Sequence, residues 1–344
     1  MAHLLLQLIL LLMVAIVGGQ VFARLRFPRV VGEIVGGLFL GPTILGLAAP
    51  DFQVWLFPPA GPDTLALTTI RNLALLAFLF AAGLETKFPS IRTHGRRIVG
   101  VSFFGLIVPF SIGWLAAISA PAFFGQDGLK PDFPIFLATA LSISALPVIA
   151  RIFMDLRLEH SALAATVLSA AMIDDLVGWG IFTFLLARMD SGRQMVLWRS
   201  HGLFVAFIAG ILCAKFRSIP AARRFHKVTL ALLAPLYFAG IGLHINLWRD
   251  FLPALALVLL AVACVGKVFG AGLGARLSGS AWREAFAVGW AMNARGAMEI
   301  VLATVALEHG LIGHPLHTGL VFVALATSFM AGPCLQAWRV PGGA

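Results

Sequence analysis

The sequence is poor in charged residues and in cysteine. Only 12% of its 344 residues are charged, whereas a soluble globular protein has about 25%. With 60% hydrophobic residues and a mean hydropathy of +0.95, the chain has too few polar groups to cover a core in water, and a lipid bilayer is its expected solvent. The three cysteines, Cys213, Cys264 and Cys334, lie in or near apolar runs without paired spacing. This pattern indicates small core residues and not a disulfide framework or a metal site.

Long apolar runs separated by short polar loops predict an all-α polytopic membrane protein with about eleven transmembrane helices. A helix that crosses the hydrocarbon layer needs about 20 predominantly apolar residues. The first run has no basic segment before it, so it is expected to be an uncleaved helix. The seventh run is short and is expected to extend back toward Trp198. The predicted spans are residues 3–23, 30–48, 65–84, 98–120, 133–153, 161–188, 202–216, 228–246, 251–275, 284–307 and 315–337.

The basic residues predict the orientation of the chain in the membrane. A net charge of +10 would indicate nucleic-acid binding in a soluble protein, but here the basic residues lie mostly in loops, so no nucleic-acid partner is expected. Seventeen of the 25 Lys and Arg residues fall in the odd-numbered loops and the C-terminal tail, and five in the even-numbered loops. The positive-inside rule then predicts an inner (plasma) membrane protein with its N-terminus outside and its C-terminus in the cytoplasm. No soluble C-terminal domain is expected.

Span five contains residues that interrupt a helix. Pro147 has no backbone N–H and crowds the preceding helical turn. Thr139, Ser142 and Ser144 precede it, and hydroxyl groups of this kind bond to backbone groups that a break sets free. The sequence therefore predicts a broken helix with a polar lining.

Span ten contains a second predicted break. Asn293 and Gly296 favour non-helical backbone, and the charged Arg295 lies between them. Arg295 and Glu299 are four residues apart, a spacing that allows them to pair on one helix face. Pro and Gly also occur as simple kinks in transmembrane helices, and for the Arg295–Glu299 pair a structural and a functional role are equally open.

The two predicted breaks occupy matching places in the chain. Spans two to six (30–188) and spans seven to eleven (202–337) form two sets of five, and each break lies in the fourth member of its set. An odd number of spans starts the second set on the opposite side of the membrane. The pattern predicts two inverted five-helix repeats within one transmembrane domain (1–344), and paired interruptions of this kind indicate a transport site.

Asp174 and Asp175 are adjacent at the centre of span six. An ionised carboxylate at that depth costs about 2.5–3.5 kcal/mol or more, so charges there indicate function. Carboxylate oxygens bind protons and are hard ligands suited to Na⁺ or K⁺. Adjacent positions on a helix differ in direction by about 100°. We therefore predict that Asp174 pairs with Lys267 of span nine and that Asp175 binds the transported ion. A purely structural ion-pair cluster is the alternative.

Several short segments occur along the chain in one particular order. In that order they resemble the bacterial monovalent cation/proton antiporter family, specifically its second branch of Na⁺/H⁺ and K⁺/H⁺ exchangers. The segments are Val31–Pro42, Phe80–Glu85, the Asp174–Asp175 pair, Pro235–Leu243, Lys267 and Asn293–Gly296.

The resemblance implies a sodium/proton antiporter-like fold. Spans four, five, six, nine, ten and eleven would form a moving core in which the broken spans cross beside Asp174 and Asp175. Spans one, two, three, seven and eight would form a scaffold, often used for homodimerisation. The core would move like an elevator, Asp175 would carry the cation or a proton, and Asp174 would exchange Lys267 for a proton. The implied partners are H⁺, a monovalent cation and membrane lipid, with no cofactor and no resident metal.

The sequence departs from the family between Arg188 and Leu203, where the family carries two additional helices. Loss of an even number of helices preserves the orientation of the later spans in the membrane. It affects the usual dimer surface, however, and a degenerate, non-transporting paralogue is therefore an alternative. A K⁺ efflux system is a second alternative. An intramembrane aspartyl protease is a third, and it is disfavoured because adjacent aspartates on one helix do not flank a peptide bond from opposite sides. The expected protein is therefore a transporter and not an enzyme.

Overall fold

The computed structural model describes residues 2–25, 27–85, 91–126, 130–158, 161–189, 194–214 and 219–338. These residues form α-helices joined by short turns, and no strand occurs among them. Some basic loop residues counted above lie outside the described residues, namely Arg26, Lys87, Arg193, Lys215, Arg217 and Arg339. The helices are α1 (Ala2–Arg24), α2 (Arg29–Leu40), α3 (Leu45–Ala48), α4 (Pro50–Leu56), α5 (Pro62–Glu85), α6 (Ile91–Ser119), α7 (Phe133–Ser142), α8 (Leu146–Asp155), α9 (Ala162–Met189), α10 (Gln194–Cys213), α11 (Pro220–Val228), α12 (Ala234–His244), α13 (Leu247–Asp250), α14 (Pro253–Leu277), α15 (Trp282–Met292), α16 (Ala297–Glu308) and α17 (His314–Trp338).

The helices confirm an all-α polytopic architecture. Eight segments of the described chain are long and apolar enough to cross a membrane. The predicted spans five and ten are present as the broken pairs α7–α8 and α15–α16, and α10 supplies the predicted span seven. The expected extension of that span toward Trp198 is present, since α10 begins at Gln194 and ends at Cys213.

The helices divide into two compact units. Unit 1 comprises residues 1–87 and 190–250, and it contains predicted spans one, two, three, seven and eight. Its helices pack closely through small residues: a Cβ added at Gly37 of α2 would overlap the carbonyl group of Ala239 in α12. Such close approach of backbones is typical of membrane helices, which associate by packing and not by the hydrophobic effect.

Unit 2 comprises residues 88–189 and 251–344, and it contains predicted spans four, five, six, nine, ten and eleven. The glycines at positions 266, 270 and 274 of α14 lie against α6. A Cβ added at Gly274 would overlap the carbonyl group of Gly100. The membership of the two units coincides with the core and scaffold groups that the family resemblance implied.

Candidate functional site

The two broken spans cross at their non-helical segments inside unit 2. The backbone N–H of Ala145 donates a hydrogen bond to the carbonyl of Ala294 at 2.9 Å. The hydroxyl of Ser144 donates to the carbonyl of Met292 at 2.7 Å. The segments of residues 143–145 and 293–296 therefore lie close enough for one break to donate hydrogen bonds to backbone carbonyl groups at the other. Backbone groups of a buried non-helical segment in a membrane require such partners.

The C-terminal end of α7 is capped by two buried cations. A helix leaves its last four carbonyl groups without intrahelical donors. The guanidinium of Arg295 donates to the carbonyl of Ala140 at 2.7 Å and also to that of Leu141. The ammonium of Lys267 donates to the carbonyl of Ser142 at 2.5 Å. Because a helix C-terminus carries partial negative charge, positive groups are favoured there.

The remaining polar residues of the first break bond locally. Ile143 donates its backbone N–H to the carbonyl of Thr139, and the Ser142 hydroxyl donates to the same carbonyl at 3.0 Å. The Thr139 hydroxyl donates to Ile135 within its own helix, at 2.7 Å. Pro147 is the second residue of α8, a position where its missing N–H costs nothing and its fixed φ favours helix initiation. The predicted break is therefore present, and it lies before Pro147.

Lys267 and Asp174 form the predicted ion pair. The Nζ atom of Lys267 lies 2.6 Å from Oδ2 of Asp174, and both side chains are fully buried. The other oxygen, Oδ1, accepts a hydrogen bond from the Ser102 hydroxyl at 2.8 Å. Lys267 also donates to the carbonyl of Gly105 at 2.9 Å. That carbonyl would normally bond to the N–H four residues later, but residue 109 is Pro109, which has none.

Asp175 points in a different direction from Asp174 and is only 4% exposed. The backbone N–H of Leu146, the first residue of α8, donates to its carboxylate. A helix N-terminus favours negative charge, so α8 orients this carboxylate. Its Oδ1 atom has no hydrogen-bond partner among the described residues. Asp175 therefore keeps one oxygen available, whereas both oxygens of Asp174 are occupied.

Arg295 and Glu299 also form the predicted pair, with Nη1 of the guanidinium 3.2 Å from Oε1. The second oxygen of Glu299 and the amide oxygen of Asn293 are buried and have no hydrogen-bond partner in the described chain. The amide nitrogen of Asn293 donates to the sulfur of Cys264 at 3.2 Å. Gly296 is extended, and a Cβ there would lie 2.6 Å from the Val148 side chain. A side chain at this position would have to displace the side chain of Val148.

Four groups of the site were missed by the sequence analysis: the Ser102 hydroxyl, Pro109, the Leu146 N–H and the Ser328 hydroxyl. Ser328 donates to the carbonyl of Arg295. Pro109 gave a usable signal, since a proline inside a predicted span frees a carbonyl group. Ser102 and Ser328 gave none, because single serines are common in transmembrane helices and their partners lie far away in sequence.

A cavity of about 440 Å³ lies beside the ion pair, between α6 and α9. Its walls are mainly apolar, but Ser102 and Ser142 both contribute to them. These two residues contact Asp174 and Lys267 respectively. No cluster of three or more His, Cys, Asp or Glu residues that could hold a metal ion occurs in the described part of the chain.

Sequence comparisons identify related proteins over nearly the whole chain. A family model described as "Sodium/hydrogen exchanger, transmembrane" matches residues 9–231 and 195–339. The Na⁺/H⁺ antiporter NhaS4 of Synechocystis sp. is 26% identical, and the match covers 95% of this chain and 96% of that protein. The match extends over 396 residues, more than the 344 of this chain, so part of NhaS4 has no counterpart here.

Cation/H⁺ antiporter 18 of Arabidopsis thaliana is 26% identical, over 98% of this chain but 49% of that protein. The chain thus spans about half the length of several curated relatives it matches. Among solved structures, the sodium proton antiporter MjNhaP1 of Methanocaldococcus jannaschii at pH 8 superposes with a TM-score of 0.63. That match covers 97% of this chain and 99% of the other, at 14% sequence identity. It shows the shared fold.

Proposed function

The chain belongs to the transmembrane sodium/hydrogen exchanger family, and on that premise we propose that it exchanges protons for Na⁺ or K⁺ across a membrane. The proposal depends on one observation. Asp175 is buried at the crossing of two broken helices and keeps a carboxylate oxygen without a hydrogen-bond partner among the described residues. A buried carboxylate in a membrane needs a proton or a cation to neutralise it. Alternate binding of these two would couple their transport.

Asp175 is the proposed binding group for both ions. The Leu146 N–H fixes one side of its carboxylate, and the free oxygen is a hard ligand for an unhydrated monovalent cation. Backbone carbonyls and amide oxygens near a helix break are the usual additional ligands in transporters. The amide oxygen of Asn293, which has no partner in the described chain, is proposed to serve in this way.

Asp174 and Lys267 are proposed to set the charge that moves in each cycle. In one state Lys267 neutralises Asp174, as in the 2.6 Å pair, while Asp175 holds the cation. In the other state each carboxyl group holds a proton. Two protons would then move against one cation, and transport would be electrogenic. The wild-type current at fixed pH gradient should reverse at a voltage that depends on this ratio.

Alternating access is proposed to follow an elevator mechanism, in which unit 2 carries the site and moves as one body. Arg295, Lys267 and the Ala145–Ala294 hydrogen bond tie the crossing together within unit 2, so the site is suited to movement without internal rearrangement. We further propose that the protein lies in the inner (plasma) membrane with its N-terminus outside and its C-terminus inside, and that unit 1 supports a homodimer.

Transport in everted membrane vesicles tests the proposal. A ΔpH established by respiration quenches a pH-sensitive dye, and Na⁺ or K⁺ added outside should dequench it in vesicles that contain the wild-type chain. Asp175→Asn keeps the side-chain volume but loses the charge, and it should abolish dequenching. Asp51→Asn is the matched control, because Asp51 is an exposed carboxylate in α4 of unit 1.

Three outcomes would contradict the proposal. Equal dequenching by the wild type and Asp175→Asn would show that this carboxylate is not the coupling site. Absence of dequenching by the wild type with either cation, at equal expression, would favour a non-transporting paralogue, which the missing residues relative to NhaS4 make a specific alternative. K⁺ flux without any proton movement would favour a K⁺ efflux system.

A further inference from the structure

Unit 1 contains a cavity of about 420 Å³ that is separate from the Asp174–Asp175 site. It is enclosed by parts of α1, α4, α5 and α12 and by the turn that precedes α5. Its volume falls in the range of small-molecule binding sites, about 300–1,000 Å³. Its walls include polar side chains from four different helices, among them Gln7, Gln53, Thr68, Arg71 and His244.

Gln7 contributes a buried hydrogen-bond acceptor to this cavity. The side chain is 1% exposed, and its amide nitrogen donates to the carbonyl of Leu56 at 2.7 Å. This bond fixes the orientation of the amide, so its oxygen must lie on the other side. The Oε1 atom has no hydrogen-bond partner in the described chain. Because an unsatisfied buried acceptor is unfavourable, the cavity is suited to a ligand that donates a hydrogen bond.

Arg71 contributes a buried positive charge to the same cavity. It is 8% exposed, and a Cβ added at Gly240 would lie 2.7 Å from its Cδ and Nε atoms, so the stem is held closely against α12. Its Nη1 atom lies 3.4 Å from Nδ1 of His244, which is itself 2.7 Å from the Gly240 carbonyl. None of the described residues that line the cavity is acidic. The lining of the cavity therefore includes a guanidinium whose stem is held against α12.

We propose that this cavity binds a phosphate group that also carries a hydrogen-bond donor. A guanidinium bonds two oxygens of a phosphate at once, and the hydroxyl of Thr68 is a further donor in the lining. The phosphate's own donor would bond to Oε1 of Gln7. Two sources supply this chemistry: free inorganic phosphate, through its P–OH group, and a phospholipid headgroup with a hydroxyl group, such as phosphatidylglycerol. Sulfate and phosphatidylcholine carry the oxyanion without the donor.

Thermal unfolding of the purified full chain in nanodiscs tests both sources. In phosphatidylcholine nanodiscs, inorganic phosphate should raise Tm above the value in sodium sulfate of equal ionic strength if the free anion binds. Nanodiscs that contain phosphatidylglycerol should raise Tm without added phosphate if the headgroup binds. Native mass spectrometry would then count retained phosphatidylglycerol. This measurement does not use exchange activity, so its failure is distinct from failure of the proposed function.

Variants of the cavity decide the assignment. Gln7→Leu removes only the acceptor, and Arg71→Gln removes the charge. Each should weaken the apparent affinity by about tenfold or more, because hydrogen bonds to charged groups are strong. Arg249→Gln, at an exposed arginine of unit 1 outside this cavity, should respond like the wild type. If Arg71→Gln fails to fold, Gln7→Leu decides alone. No Tm rise in the wild type from either source, or an equal rise in Gln7→Leu, would overturn the proposal.

Discussion

Replacement of Lys267 by methionine should destabilise unit 2 strongly, and part of the lost stability should return when Asp174 is replaced as well. The ammonium group makes three hydrogen bonds, to Asp174 and to the carbonyls of Gly105 and Ser142. Methionine fills a similar volume but donates none of them. The single variant thus leaves a fully buried carboxylate and two buried carbonyl groups without their donor.

The expected magnitude follows from these lost contacts. Removal of one partner of a buried ion pair costs about 3–5 kcal/mol. At about 2.1 cal/mol/K of unfolding entropy per residue, a chain of 344 residues loses about 1.4 °C of Tm for each kcal/mol. Lys267→Met should therefore lower Tm by about 4–7 °C. The double variant Asp174→Asn/Lys267→Met removes both charges and should recover part of that loss, since the two carbonyl groups still lack their donor.

Thermal unfolding in detergent, followed by tryptophan fluorescence, measures both variants, and vesicle dequenching measures their exchange. The single variant should also lose the current that accompanies transport, because Asp174 no longer has a cationic partner to exchange for a proton. The reasoning would be refuted by a Lys267→Met chain with the Tm and the current of the wild type. It would equally be refuted if the double variant were less stable than the single variant, since the cost would then not come from the unpaired carboxylate.

Two further predictions concern packing and topology. Gly274→Ala should lower Tm by about 1–4 °C because the added methyl group overlaps the Gly100 backbone. Gly180→Ala is the control and should leave Tm unchanged, since no atom lies within 4 Å of the added Cβ. Equal effects of the two variants on Tm would argue against the α6–α14 contact. Ala60 and Ala221 are exposed and lie in loops predicted on opposite sides of the membrane. In a chain without native cysteines, a membrane-impermeant thiol reagent applied to intact cells should label Ala60→Cys and not Ala221→Cys. The reverse labelling pattern would invert the proposed orientation.

The breaks and the main ion pair were predictable from the sequence because each had a strong local or compositional signal. Pro147 and Gly296 restrict or release the backbone wherever they occur, and the structure breaks α7–α8 and α15–α16 beside them. Asp174 and Lys267 are rare residue types for a membrane interior, so the number of possible partners was small. The 100° offset between adjacent helix positions was enough to predict that only one aspartate would pair with the lysine.

The hydrogen bonds that hold the site were not predictable in the same way. Arg295 was paired with Glu299 by spacing, but its guanidinium also caps the end of α7 through Ala140 and Leu141. That contact joins positions about 155 residues apart, and backbone carbonyls have no sequence signature. The bond from Leu146 to Asp175 depends on where α8 begins. A shift of one residue in that start would point a different N–H at the carboxylate.

The two halves of the chain that the sequence predicts as inverted repeats divide at the same place between the two units. Residues 30–188 place their first two spans in unit 1 and their last three in unit 2, and residues 202–337 do the same. The broken span is the middle one of the three in each case. Two unrelated five-helix segments would have no reason to divide at the same point and to break at the same member. We propose that a common ancestral five-helix unit accounts for both features and for the crossing of the two breaks at one site.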